Sequence, residues 1–219
     1  MDIFEKFFFA TRKTLLLSLV FGVLLCLILI FIGNEDGFLW FNTTLTPVLG
    51  RPAAFFSQFG EWYVMIFLLA SCLRISIRKF ISVAFTWIIG ACLSWMFKLW
   101  LFKGLARPSE YYASQNIPLQ LVDGVDVHSY NTFPSGHTLT AFSSIVLFRF
   151  VFLHLKSWQE YILVFFAIAC GLSRIILVQH WPEDVLGGIV LGLFAGYSGV
   201  FFSLRISKNE SLDRSVIKL

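Results

Sequence analysis

The sequence predicts an all-α, polytopic membrane protein, a bundle of six transmembrane helices with both termini cytoplasmic. Three observations carry that prediction. Of the 219 residues, 58% are hydrophobic and 18% aromatic, and the mean hydropathy is +0.79. Only 14% are charged, too little polar surface for a water-soluble domain of this size. Apolar runs also recur along the chain at lengths that suit a bilayer. The formal net charge of +4 forms no basic stripe, which argues against a nucleic-acid partner and suits lipid headgroups.

The first apolar segment, about 14–32, follows Lys6, Arg12 and Lys13 in the manner of a signal peptide. Its run from Leu15 to Ile32 is long for one, and no Ala-x-Ala site follows, so it reads as a retained span. The second, about 55–73, is the least clean, because Glu61 stands near its start and the unbroken run, Trp62 to Leu73, is short. Four more follow at about 80–101, 136–154, 159–178 and 184–204. Long connections are expected at about 33–54 and about 103–134. Residues 1–219 thus read as a single integral-membrane domain.

Alternating spans place Lys6, Arg12, Lys13, Arg74, Arg78, Lys79, Lys156, Arg205, Lys208, Arg214 and Lys218 on one side, which the positive-inside rule makes cytoplasmic. Arg51, Lys98, Lys103, Arg107 and Arg174 fall on the other side and need a reason. Cys26, Cys72, Cys92 and Cys170 lie inside apolar segments without paired spacing and read as small core hydrophobes. His128 reads as a surface residue, and His154 lies at the cytoplasmic end. The run 116–122, "NIPLQLV", is a candidate interfacial segment. Gly188, Gly192 and Gly196 recur every four residues, which suits close packing within the chain, with a dimer seam as second choice.

Three polar clusters share the outer face: Lys98 to Pro108, Pro134 to His137, and Ser173 to Asp184. Charges at membrane depth are expensive and usually face a pocket or each other. Ser135 suits a helix N-cap, and Gly136 lets a ligand approach the backbone, so free N–H groups and a positive dipole end would face an anion. Pro182 suits the first position of the last helix, which puts Asp184 at the third, able to reach back toward His180. Lys98, Arg107, Arg174, His137 and His180 would then surround one carboxylate, Asp184. Such a ring matches a tetrahedral phosphate dianion, with His180 oriented by Asp184 as a nucleophile and His137 as a proton donor.

"PSGH" (134–137) and Ser173-Arg174-x5-His180-x3-Asp184 resemble two of the three signatures of the type 2 phosphatidic acid phosphatase superfamily. The third signature, Lys-x6-Arg-Pro, is not matched: position 100 is Trp, and the available lysines are Lys98 and Lys103, ahead of Arg107-Pro108. Lys98 is favoured, because an insertion near Gly104 is easier than loss of a helical turn. The resemblance implies lipid phosphate hydrolysis without metal or other cofactor, at a site on the outer, periplasmic end of the bundle. His180 becomes a phosphohistidine assisted by Asp184, His137 protonates the leaving oxygen, and Lys98, Arg107, Ser135, Gly136 and Arg174 hold the phosphoryl oxygens. The implied setting is a bacterial inner membrane, with the bilayer and a lipid phosphate as partners and no obligate protein partner. Phosphatidylglycerophosphate, undecaprenyl pyrophosphate, phosphatidic acid and lipid A phosphates all fit. Lipid-to-lipid phosphotransfer, a transporter and a zinc hydrolase stand as rivals.

Overall fold

The computed structural model describes residues 3–152, 155–206 and 210–215; His154, Lys208 and Lys218 lie outside them. Regular structure among the described residues is helical, apart from an isolated antiparallel bridge between Ala106 and Tyr130. The helices are α1 (Ile3–Phe31), α2 (Asn34–Trp40), α3 (Thr46–Ser57), α4 (Trp62–Ile75), α5 (Ile77–Met96), α6 (Pro108–Ser114), α7 (Gly136–Val151), α8 (Ser157–Ile176) and α9 (Pro182–Ile206). A π turn, Phe41–Leu45, joins α2 to α3, and a 3-10 turn, Gln58–Gly60, leads from α3 toward α4. A second π turn, Phe97–Leu101, extends α5.

The connection expected at 33–54 is mostly helical. Pro47 sits in the first turn of α3, where no intrahelical N–H is needed, so it does not break the helix. Residues Asn34–Gly60 and Trp62–Ile75 form a pair bent by 42° at Gly60–Glu61, so the expected second span is not one straight helix. By length and composition, four helices among the described residues can cross a membrane, and five if the bent pair counts as one. The remaining segment of the expected six is α7. Its 16 residues rise about 24 Å, short of the roughly 30 Å hydrocarbon core.

The reason for that shortness is position. α7 is the central helix: Leu139, Ala141, Phe142, Ile145, Val146, Leu147, Phe150 and Val151 are all buried. Packed on every side by protein, it has little lipid contact to match in length. α9 approaches it through its glycines. A Cβ on Gly188 would lie 2.8 Å from the Ser135 carbonyl oxygen, and one on Gly192 would lie 2.6 Å from that of Leu139. The repeat therefore serves packing within the chain.

Around this core the bundle turns apolar side chains outward, among them Leu16, Leu24, Ile88, Phe165, Val190 and Phe194. With the apolar helices this makes the chain an integral membrane protein. Cys72 and Cys170 are buried as expected, but Cys92 is exposed and Cys26 half-buried, on the bundle's outer surface. At the end formed by the α7 C-terminus and α8 N-terminus, Glu160 accepts from the Thr14 hydroxyl (2.7 Å) and N–H (3.1 Å). Lys79 Nζ donates to the Val151 carbonyl at 2.7 Å, and Arg78 pairs with Asp213 at 2.7 Å. Those polar ties leave the opposite end free for a site.

Candidate active site

The turn between α8 and α9 sets the position of His180. Its N–H and that of Gln179 both donate to the Arg174 carbonyl at 3.0 Å, which folds the chain tightly over the helix end. Val178 takes φ of 60° there, a costly conformation for a β-branched residue that the surrounding packing has to hold. α9 then begins at Pro182. Asp184 reaches back as its third residue, and its Oδ2 accepts from the Trp181 N–H at 2.8 Å. The same oxygen lies 3.3 Å from His180 Nδ1 and accepts from the Thr132 hydroxyl.

Both members of this pair are enclosed, His180 at 2% exposure and Asp184 at 0%. A carboxylate oxygen can only accept, so Nδ1 carries the hydrogen and Nε2 keeps its lone pair. Nε2 lies 3.5 Å from Arg107 Nη1. Burial, followed by Arg107, Arg174, Lys98 and His137, holds the ring's pKa well below the ordinary 6.5. The nitrogen facing the cations is therefore a neutral base.

Arg107 comes from the loop before α6. Its N–H donates to the Ser129 carbonyl (2.8 Å), its Nε to that of Tyr130 (3.0 Å) and its Nη1 to that of Gln179 (2.8 Å). Arg174, in the last turn of α8, donates from Nη1 to Ser57 Oγ. Its Nε is buried with no acceptor among the described residues. An unpaired buried donor costs about 1–3 kcal/mol, so this guanidinium has hydrogen-bonding capacity left for a ligand.

Ser135 caps α7 as anticipated: its Oγ accepts from the Thr138 N–H (3.4 Å) and hydroxyl (2.8 Å). Its own N–H donates to the Asp184 backbone carbonyl at 3.0 Å, which ties the start of α7 to the start of α9. A Cβ on Gly136 would stand 4.0 Å from Lys98 Nζ, so the ammonium lies over the α7 N-terminus. Lys103 is exposed. The π turn at 97–101 absorbs an extra residue, closed by the Phe102 N–H on the Phe97 carbonyl at 2.8 Å, and Gly104 turns at φ of 79°. These two features accommodate the longer spacing from Lys98 to Arg107. His137 meets Glu61, with Nε2 3.0 Å from Oε1.

The structure thus brings His137, His180, Asp184, Lys98, Arg107, Ser135, Gly136 and Arg174 together at one end of the bundle. Four neighbours escaped the sequence reading: Glu61, Thr132, Gln179 and Ser57. Only Glu61 carried a signal, as a lone acid at the edge of an apolar run. A cavity of about 660 Å3, lined by Trp95, Lys98, Leu99, Arg107 and Tyr130, opens on one flank. A more polar one of about 310 Å3 opens on the other, lined by Glu61, His137, Arg174 and Gln179. His128 is exposed and borders both. The run 116–122 is a strap without helix, held to Asn42 by two hydrogen bonds at Gln120 (2.8 and 2.9 Å).

Residues 79–208 match the PAP2 superfamily. A lipid A 1-phosphatase from Porphyromonas gingivalis is 37% identical over 103 residues, a stretch that is 47% of this chain and 22% of that protein. Among solved structures, LpxE of Aquifex aeolicus superposes with a TM-score of 0.63 at 23% identity, over 78% of this chain and 94% of that one. A PAP2-type phosphatidylglycerolphosphate phosphatase from Bacillus subtilis gives 0.58 at 20% identity, over 90% and 98%. At such identities the two structures establish a shared fold.

Proposed function

The chain belongs to the PAP2 superfamily, and from that premise we propose that it hydrolyses a phosphate monoester or terminal pyrophosphate on a membrane lipid through a phosphohistidine. One observation carries the proposal: His180 is held by Asp184 so that its lone-pair nitrogen faces Arg107. His180 Nε2 forms a bond to phosphorus as the bond from phosphorus to the lipid oxygen breaks. That oxygen keeps the electron pair and takes a proton from His137. Water then attacks phosphorus and returns a proton to His137, the N–P bond breaks back onto Nε2, and phosphate leaves. Lys98, Arg107, Arg174 and the Ser135–Gly136 helix end hold the phosphoryl oxygens, supplying the positive charge that a metal supplies elsewhere.

The larger, less polar cavity suits the lipid-bearing side of the substrate, and the 37% identical relative, a lipid A 1-phosphatase, favours lipid A phosphates among the four candidates. The positive-inside pattern supports six crossings with both termini cytoplasmic and a site facing the periplasm across a bacterial inner membrane. Clustering of the polar groups at one end of the bundle disfavours a transporter, which needs them near mid-membrane.

The test is phosphate release by detergent-purified protein from lipid A, phosphatidylglycerophosphate, undecaprenyl pyrophosphate and phosphatidic acid, each presented alone. Release from at least one in EDTA, inhibition by vanadate and loss on His180→Ala are expected. Abolition by EDTA would point to the zinc rival. Release that requires a second lipid acceptor would point to phosphotransfer instead of hydrolysis.

A further inference from the structure

Glu61 has no part in the chemistry above, yet three features bring it to His137. The chain breaks at Gly60–Glu61 between segments bent by 42°, and Glu61 takes the extended N-cap conformation of α4 (φ −80°, ψ 158°). Gly60 lies against the first turn of α7: a Cβ there would stand 2.6 Å from both the Cβ and the carbonyl oxygen of His137. A residue without a side chain is what lets the break approach so closely. Finally, the Glu61 side chain makes no capping hydrogen bond to its own helix. It is spent on the imidazole, 3.0 Å away.

The charge balance gives that contact a use. Arg174 and Lys98 both act on the His137 ring, so an imidazolium there would stand among cations, and Glu61 sets a negative charge against it. The pair is 26% and 32% exposed and lines the polar cavity, unlike the enclosed His180–Asp184 pair.

We propose that Glu61 is the positioning residue of His137: it accepts the Nε2 hydrogen, supports the imidazolium, and leaves Nδ1–H for the departing lipid oxygen. This rests on the phosphohistidine reading above. The Nδ1 proton passes to that oxygen as the P–O bond breaks and is regained from the attacking water, while Glu61 itself neither gains nor loses one.

The experiment compares Glu61→Gln and Glu61→Asp with the native chain in detergent on two substrates. One is a lipid alkyl phosphate, whose alkoxide needs a proton; the other is a nitrophenyl phosphate, whose leaving group departs without one. Glu61→Gln should lower kcat on the alkyl phosphate by about tenfold or more at nearly unchanged KM, with a much smaller loss on the aryl phosphate. Glu61→Asp should recover part of the difference. Equal losses on both substrates, or none on the lipid, would overturn the proposal. The phosphatase reading would then still stand if the native chain released phosphate and His180→Ala did not. No release by the native chain from either substrate overturns both.

Discussion

Asp184 Oδ2 gathers the Trp181 N–H, the Thr132 hydroxyl and His180 Nδ1, so the orientation of the imidazole is over-determined. Burial and the cations around it then oppose protonation of that ring. The sign follows: as pH falls below the unfolded value of about 6.5, the unfolded chain takes up a proton that the folded ring refuses, and the folded state loses stability. At pH 6.5, NMR of histidine-labelled protein should find His180 neutral, with its hydrogen on Nδ1; a charged ring would contradict the arrangement. Lys98 supplies a second residue-scale test. Its ammonium lies over Gly136, whereas Lys103 faces outward. Lys98→Ala should cost at least about a hundredfold in kcat/KM, and Lys103→Ala no more than about twofold.

Helix α9 fits against α7 because its glycines remove side chains along one stripe. Gly192 leaves no room for a methyl group, since the nearest atom would be backbone, the Leu139 carbonyl oxygen at 2.6 Å. Gly22 on α1 meets only Leu186 Cδ1 at 3.6 Å, an ordinary contact. Gly192→Ala should therefore destabilise by about 1–3 kcal/mol and lower the melting midpoint in detergent. Gly22→Ala should leave the midpoint level or raise it slightly, because alanine favours helix over glycine by up to about 1 kcal/mol. Because Ser135 is tied to Asp184 across this same interface, the Gly192 variant should also lose activity in step with stability.

For the whole molecule, the arrangement of charge predicts orientation. Asp123 and Lys156 are exposed near opposite ends of the bundle. On intact cells, an impermeant thiol reagent should label Asp123→Cys and spare Lys156→Cys until the membrane is opened. Labelling of both, or the reverse order, would overturn the proposed topology. Among the described residues, four helices of spanning length pack around a short, buried α7. An apolar segment sheathed by protein looks the same in sequence as one bathed in lipid.

The sequence by itself determined the class of the molecule, an apolar helical bundle, and those parts of the site that lie close along the chain. His180 and Asp184 are four apart across a helix start, and Ser135 caps the helix that carries His137; such geometry is local and follows from capping rules. Tertiary structure alone decided the rest. The helical course of much of 33–54 was hidden by Pro47 and Pro52, which mark breaks in isolation but are tolerated in α3, packed along α8; Gly33, at φ of 93°, does break the chain, between α1 and α2. The contact of Glu61 with His137, 76 positions apart, and that of Thr132 with Asp184, 52 apart, arise only when helices distant in the chain are brought end to end. No periodicity encodes such meetings, because they depend on where whole helices come to rest and not on the order of residues within any one of them.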